Sequence, residues 1–184
     1  MKSVSESQPN TGPCPPVTVT RRGMVLAALA APLVSWAELA PGAARHALAA
    51  PTAPSAVEDF DQSTWAKLLK NSPRPAAYVF TTSYCPSCPD AFARLQAFIA
   101  AARQKVELAV VVMDVQGAQA LAHARHYVGA SRLYAFDGFE PAIRQSVDPK
   151  WPKVTPYIVL LGRNGSVQRS IGLPEAAVLQ RWLA

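Results

Sequence analysis

Two cysteines separated by two residues, Cys85 and Cys88, are the side chains in this sequence with the most evident chemistry. Thiols at this spacing close a small disulfide ring when the second residue lies one helical turn after the first. Residues 76–82 are apolar, β-branched and aromatic, which predicts a buried strand, and residues 90–104 carry apolar side chains at helical spacing. The pair therefore lies where a strand ends and a helix begins. Free backbone N–H groups and the helix dipole stabilise a thiolate on the first cysteine there, so the sequence predicts thiol–disulfide exchange.

Metal binding and a purely structural disulfide are the alternative interpretations of this pair. Zinc normally takes four ligands, and no second CxxC or Cys/His pair follows. His123 and His126 are one helical turn apart and could complete a site, but histidines in an Ala-rich helix are typical of a solvated surface. A bridge across two residues constrains the unfolded chain little and adds little stability. We therefore expect a redox pair with no metal and no cofactor.

The N-terminal region has the features of a secretion signal. An arginine pair at 21–22 precedes the apolar run 24–34, which is shorter than the roughly 20 residues that a membrane-spanning helix needs. Residues 47–49 form an A-x-A cleavage signal, which places the cut between Ala49 and Ala50. The pattern resembles a bacterial twin-arginine signal peptide, apart from a glycine directly after the arginines and a long leader. An ordinary secretory signal and an uncleaved anchor are the alternatives. We expect a signal peptide over 1–49 and a periplasmic protein.

Export has a consequence for the cysteines. Cys14 lies in the leader, so the mature chain keeps only Cys85 and Cys88. In an oxidising compartment these two form a disulfide unless a partner reduces them.

The rest of the chain has the size of one domain. Residues 50–60, with two prolines, are expected as a linker, and residues 61–184 as the folded domain. The chain carries 18 Lys and Arg against 12 Asp and Glu, a net charge of +6. These charges are scattered without a basic run, so nucleic acid is not an expected partner. No membrane span is expected in the mature chain.

Helical and strand patterns alternate along this domain. The patterns predict helices over 65–70, 90–104, 117–128 and 174–182, and strands over 76–82, 106–115, 157–161 and 167–171. Asn164-Gly165 predicts a type I′ turn between the last two strands. Residues 129–153 are less regular, with a helix expected near 139–147 and a turn at 148–152. The order predicts an α/β domain that combines parallel crossovers with a terminal hairpin.

This order resembles the thioredoxin fold over most of residues 60–184. The resemblance depends on the CxxC motif at the first strand–helix junction and on Val154-Thr155-Pro156, which leads into the hairpin. It implies a mixed central sheet with flanking helices and a C-terminal β-hairpin plus helix. It also implies that Pro156 follows a cis peptide bond and lies against the cysteines, so that Thr155 and Pro156 form the second half of the site.

Within that family, the signal and the long stretch between the motifs resemble the TlpA-like periplasmic thioredoxins. The likeness implies protein thiols or disulfides as substrates and a membrane electron donor as partner. The chain departs from the pattern at Val79, where cytosolic thioredoxins carry a buried aspartate, and at Tyr84, where they carry tryptophan. No residue is therefore identified as the base for Cys88. Asp90 is the nearest acid, and its place in the first helical turn favours stabilisation by the helix dipole.

The expected mechanism assigns a role to each residue of the motif. Cys85 at the helix N-cap is the attacking thiolate, Pro86 takes the first helical position, and Cys88, more buried, resolves the mixed disulfide. The substrate groove is expected to be formed by Tyr84, Pro86, Ser87, Thr155 and Pro156. Tyr84 could equally be a residue at the rim of the site that covers surface without contacting substrate.

The sequence allows either direction of electron flow and two other functions. The absence of histidine between the cysteines and the TlpA-like organisation favour a reductant, although a proline after the first cysteine also occurs in oxidants. A Cu(I) carrier and a binding module without catalysis are the other hypotheses. SCO-type copper proteins use CxxxC and a distant histidine, whereas no histidine follows His126 here. Four aromatic residues of the irregular segment form either a specificity surface or part of the core: Tyr134, Phe136, Phe139 and Trp151.

Overall fold

The structure is a computed structural model that describes residues 51–184. The expected signal peptide, its arginine pair and its cleavage site lie outside the described residues. The strands are β1 (Glu58–Phe60), β2 (Ala76–Thr81), β3 (Glu107–Val112), β4 (Arg132–Phe136), β5 (Tyr157–Leu161) and β6 (Val167–Ile171). The helices are α1 (Thr64–Asn71), α2 (Cys88–Ala101), α3 (Gly117–His123), α4 (Glu140–Val147) and α5 (Ala176–Leu183). A 3₁₀ turn, Ala124–His126, follows α3.

All six strands form one mixed sheet in the order β1-β4-β3-β2-β5-β6. The neighbours β1 and β4, β4 and β3, and β3 and β2 are parallel, whereas β5 is antiparallel to β2 and to β6. Helices connect the parallel strands, and the β5–β6 hairpin and α5 complete the chain. This confirms the expected thioredoxin-like fold.

The core lies on both faces of the sheet. Successive side chains of a strand point to opposite faces, so in β2 Ala77 and Val79 join one cluster while Tyr78 and Phe80 join the other. The first cluster packs the sheet against α2 and α5, and its buried aromatic members are Phe92, Tyr127 and Trp182. The second is rich in aromatic rings, among them Phe60, Trp65, Tyr134, Phe136, Trp151 and Tyr157. Because β2 is covered on both faces, the site at its carboxyl end is attached to the most buried part of the fold.

Two strands were missing from the sequence-based prediction. β1 lies at the end of the segment expected to be a linker, and β4 lies in the segment expected to be irregular. The two pair with each other in parallel, and β4 pairs with β3 on its other side. Each is short, so its stability comes from pairing with distant residues and leaves only a weak local pattern. The expected helix near 139–147 is confirmed as α4.

Three of the four aromatic residues in this segment belong to the core. Tyr134, Phe136 and Trp151 are buried, whereas Phe139 is 74% exposed. Core packing therefore accounts for three of the four.

The hairpin turn differs from the type I′ prediction, which requires positive φ at both central residues. Gly165 has a φ of 85°, but Asn164 does not lie in the positive region. The Gly165 N–H donates to the Gly162 carbonyl, and the Asn164 side-chain oxygen accepts from the Ser166 N–H. The connection is therefore a longer loop, in which the asparagine bonds backbone two residues further on.

Helix boundaries also moved. α2 spans Cys88–Ala101, whereas the apolar spacing predicted 90–104 and the expected N-cap at Cys85 predicted a start before Cys88. α3 ends at His123, before the 3₁₀ turn. Within residues 51–184, no helix is both long and apolar enough to cross a membrane.

Candidate active site

The two cysteines form a disulfide at the junction between β2 and α2. Their sulfur atoms are 2.07 Å apart and their Cα atoms 5.5 Å apart. Cys88 is fully buried at the start of α2, and Cys85 is partly exposed. One sulfur can therefore meet a partner protein while the other is held inside the fold.

The cap of α2 differs from the expected arrangement. Ser87, and not Cys85, is the N-cap residue, and its carbonyl accepts the first helical hydrogen bond from Ala91 N (3.1 Å). Cys85 belongs to a separate turn, in which its N–H donates to the carbonyl of Thr82 (3.2 Å). Consequently Pro89, and not Pro86, lies in the first helical turn, where a missing N–H leaves no partner unsatisfied. Cys85 nevertheless lies beside the positive end of the helix dipole.

An open cleft lies on one side of Cys85. Its volume is about 330 Å³. Its walls are formed by Thr82, Ser83, Tyr84, Cys85, Pro86, Pro89, His123, His126 and Tyr127. Two residues predicted for the substrate groove, Tyr84 and Pro86, are among them, and Tyr84 is 75% exposed. Ser87, a third, places its hydroxyl 3.8 Å from the sulfur of Cys85.

The remaining predicted groove residues, Thr155 and Pro156, do not line this cleft. The peptide bond between them is cis, as the resemblance implied. Tyr157 pairs with Phe80, so continuing the antiparallel register sets Pro156 opposite Thr81, close to the end of β2. Thr155 and Pro156 thus occupy the same edge of the sheet as the disulfide.

Hydroxyl groups beside the cysteines were not predicted. Thr81 and Thr82 are, among residues 51–184, the only buried side chains that are polar and not aromatic. The Thr81 hydroxyl lies 2.9 Å from that of Tyr127 and donates to the Thr82 carbonyl at 3.2 Å. Burial raises the pKa of Tyr127, with a further contribution from the charge of Asp114, so its phenol stays neutral at neutral pH. The run Thr81-Thr82-Ser83 at the end of a buried strand is the sequence feature from which these hydroxyl groups could have been predicted.

A carboxylate holds the loop that leads to Cys85. Asp114, the second residue after β3, accepts from the backbone N–H of Ser83 at 2.8 Å and from its hydroxyl at 2.5 Å. These bonds fasten the turn before the disulfide to the neighbouring strand.

Val79 occupies the position at which cytosolic thioredoxins carry a buried aspartate, and it is fully buried in the first core cluster. Asp90 is 73% exposed and pairs with Arg94 at 3.9 Å along the helix surface. Asp90 lies in the first turn of α2, and its interaction with the helix dipole stays a prediction.

The two histidines border the cleft. His126 is exposed, His123 is partly buried, and their ring centres are 5.8 Å apart. The Nε2 atom of His126 accepts from Arg125 Nε at 3.2 Å. Their place in an Ala-rich segment predicted a solvated surface, which holds for His126 and only in part for His123, and it did not show that this surface faces Cys85. Across residues 51–184, no group of three or more His, Cys, Asp or Glu side chains is arranged to hold a metal ion.

Solved structures with a similar course of the chain include three bacterial proteins. A secreted Mycobacterium tuberculosis disulfide oxidoreductase homologous to E. coli DsbE is 17% identical, with a TM-score of 0.43 over 58% of this chain and 78% of that one. StoA from Bacillus subtilis is 22% identical, with a TM-score of 0.42 over 61% and 84%. A thio-disulfide isomerase from Thermus thermophilus is 19% identical, with a TM-score of 0.42 over 61% and 79%. No protein-family model and no curated protein sequence matches the chain.

Proposed function

We propose that this chain is an exported thiol–disulfide oxidoreductase that reduces disulfides in partner proteins through Cys85 and Cys88. One observation carries the proposal: the two sulfurs are at bonding distance, with one beside an open cleft and the other buried. A purely structural disulfide would not need this asymmetry, whereas an exchanger needs one accessible and one protected sulfur.

The proposed reaction is a two-step exchange. The reduced protein attacks a partner disulfide with the thiolate of Cys85, which forms a mixed disulfide and releases one partner sulfur as a thiol. Cys88, once deprotonated, then attacks the sulfur of Cys85. This second step restores the internal disulfide and releases the second partner sulfur, so that two electrons have passed to the partner.

The reducing direction rests on the residues between the cysteines. Pro86 and Ser87 provide no imidazole to stabilise the Cys85 thiolate strongly, and strong stabilisation of the reduced form is what makes an oxidant. A reductant outside the cytosol must be recharged, so we propose a membrane electron donor as a second partner. Residues 1–49 would direct export to the periplasm. A disulfide-forming oxidant is the alternative for the direction.

Mixed-disulfide trapping tests the exchange itself. The full chain and its Cys88→Ser and Cys85→Ser variants, each carrying Cys14→Ser so that no third thiol is present, are tested in two assays. In the first, dithiothreitol is the reductant and the reduction of insulin is followed by turbidity. In the second, each pre-reduced protein is mixed with insulin in the absence of dithiothreitol and covalent adducts are detected on a non-reducing gel. We expect the wild-type chain to accelerate reduction, Cys88→Ser to accumulate a covalent insulin adduct that dithiothreitol releases, and Cys85→Ser to form none. If neither acceleration nor an adduct is observed, the proposed function is wrong.

Equilibration with glutathione or dithiothreitol buffers tests the direction. A reduction potential near about −270 mV, that of thioredoxin, is expected for a reductant. A value near about −120 mV would identify an oxidant and contradict the proposed direction.

A further inference from the structure

The hydroxyl of Thr82 is the buried polar group beside the disulfide that the exchange mechanism does not yet use. Thr82 is 7% exposed, and its Oγ1 atom has no hydrogen-bond partner among the described residues. Within residues 51–184 it is the one buried side-chain oxygen or nitrogen without a hydrogen-bond partner. Buried polar groups without a partner are uncommon because each loses its bonds to water, so this one needs an explanation.

The neighbouring groups are already engaged. The Thr81 hydroxyl is shared between Tyr127 and the Thr82 carbonyl, and the Ser83 hydroxyl donates to Asp114. The Thr82 carbonyl also accepts from the Cys85 N–H, so Thr82 and Cys85 belong to the same turn. Thr82 and Cys85 also line the same cleft. The sulfurs of the cysteines, which share this turn and this cleft with Thr82, are therefore candidate acceptors for its hydroxyl.

The strength with which the two sulfurs accept hydrogen bonds changes with the redox state. A disulfide sulfur is uncharged and accepts hydrogen bonds weakly, so in the oxidised protein the hydroxyl gains little from it. Reduction by two glutathione molecules yields two protein thiols and one glutathione disulfide, and ionisation of a freed thiol creates a thiolate, a strong acceptor.

We propose that Thr82 donates a hydrogen bond to a sulfur of the reduced Cys85/Cys88 pair and so stabilises the reduced form. This inference rests on the proposed function, because it concerns the same pair of cysteines. The group that assists the thiolate is then a neutral hydroxyl at the end of the buried strand. The carboxylate that thioredoxins carry at the position of Val79 has no part in it.

The test compares the redox equilibrium of matched variants of the full chain. Thr82→Val keeps the shape of the side chain and removes only the hydroxyl, Thr82→Ser keeps the hydroxyl, and Thr81→Val removes a hydroxyl that already has partners. Each variant is equilibrated in glutathione buffers, and the reduced fraction is measured after thiol alkylation. The ionisation of Cys85 is followed by thiolate absorbance, and the fold by circular dichroism and thermal melting.

We expect Thr82→Val to shift the equilibrium about tenfold toward the disulfide, since a hydrogen bond to a charged group is worth a factor of this order. This corresponds to a potential lower by about 30 mV. Thr82→Ser should lie within about threefold of wild type, and Thr81→Val within about twofold because it destabilises both redox forms alike. Thr82→Ala gives the same comparison if the valine variant does not fold.

Thiolate absorbance identifies the acceptor. A pKa of Cys85 raised by about one unit in Thr82→Val means that its thiolate is the acceptor. An altered equilibrium with an unchanged pKa of Cys85 means that the acceptor is the sulfur of Cys88. An equilibrium within twofold of wild type in Thr82→Val, or an equal shift in Thr81→Val, overturns the inference. In that case a wild-type chain that still reduces insulin leaves the proposed function intact, whereas a wild-type chain that exchanges with neither insulin nor glutathione refutes the function itself.

Discussion

Replacing Tyr84 by alanine should weaken the reaction with protein disulfides and spare the reaction with small ones. Tyr84 precedes Cys85 directly, lines the cleft and is 75% exposed. A buried aromatic side chain removes about 150–250 Å² from water, so about 150 Å² of this ring and its stem is available to a partner. A protein that covers half of that area gains about 2 kcal/mol, at about 25 cal/mol per Å².

This free energy corresponds to a change of about thirtyfold in binding. Ordering of the ring on binding reduces it, so we expect kcat/KM for insulin to fall about tenfold to thirtyfold in Tyr84→Ala. A small disulfide is attacked at Cys85 without covering the ring, so the rate with oxidised glutathione should stay within about twofold. The assay compares these two substrates at one concentration of enzyme.

Phe139 supplies the matched control. It is also aromatic and 74% exposed, and it follows β4 at the same edge of the sheet, but it does not line the cleft. We expect Phe139→Ala to react with both substrates like the wild-type chain. Unchanged insulin kinetics in Tyr84→Ala would show that Tyr84 only fills surface. An equal loss in both variants would show that the effect is a general property of exposed aromatic rings.

Two further predictions concern groups that hold the fold around the site. In a double-mutant cycle, Asp114→Ala and Ser83→Ala should show a coupling of about 0.5–1 kcal/mol in the free energy of urea unfolding, because the carboxylate accepts a hydrogen bond from the exposed hydroxyl. Additive effects of the two substitutions would refute this bond. The hydroxyls of the residues that begin α1 lower the pKa of Asp61 from 3.8 to about 2. The contribution of this carboxylate to stability is therefore complete above about pH 4 and is lost as the pH falls toward 2. Carboxyl NMR should show this low midpoint, and the Asp61→Asn variant should lose that part of the acid sensitivity; a midpoint near 4 would contradict the hydrogen bonds.

The elements around the site could be predicted because their patterns are local. β2 and β3 are continuous apolar runs, and α2 repeats its apolar residues at helical spacing, so each can be identified without its neighbours. β1 and β4 could not be identified, since each is stabilised by strands distant in sequence. The turn at Asn164 was mistaken for a related reason: the asparagine side chain bonds the backbone of Ser166, and the dipeptide alone does not show this.

The two sulfur atoms of the site could be predicted from the sequence, whereas the helix cap and the neighbouring face of α3 could not. CxxC identified the sulfurs, and the buried strand before it placed them at a sheet edge. The prediction of the cap position failed because Cys85 closes a separate turn with Thr82, and α2 begins only at Cys88 with Ser87 as its N-cap. The face of α3 that carries His123 depends on how that helix packs, so its position beside Cys85 required the three-dimensional structure.

The interior beside the disulfide is neutral, and this bears on how the proposed exchange would proceed. Among residues 51–184 no charged side chain is buried, and Thr81, Thr82 and Tyr127 contribute only hydroxyls near the cysteines. Hydroxyls can stabilise a thiolate by hydrogen bonding, but at neutral pH they cannot accept the proton of Cys88 as a carboxylate does. The resolving step should therefore depend on the ionisation of the Cys88 thiol itself. Its rate should rise with pH up to the pKa of that thiol, without the plateau at lower pH that a buried carboxylate base would produce.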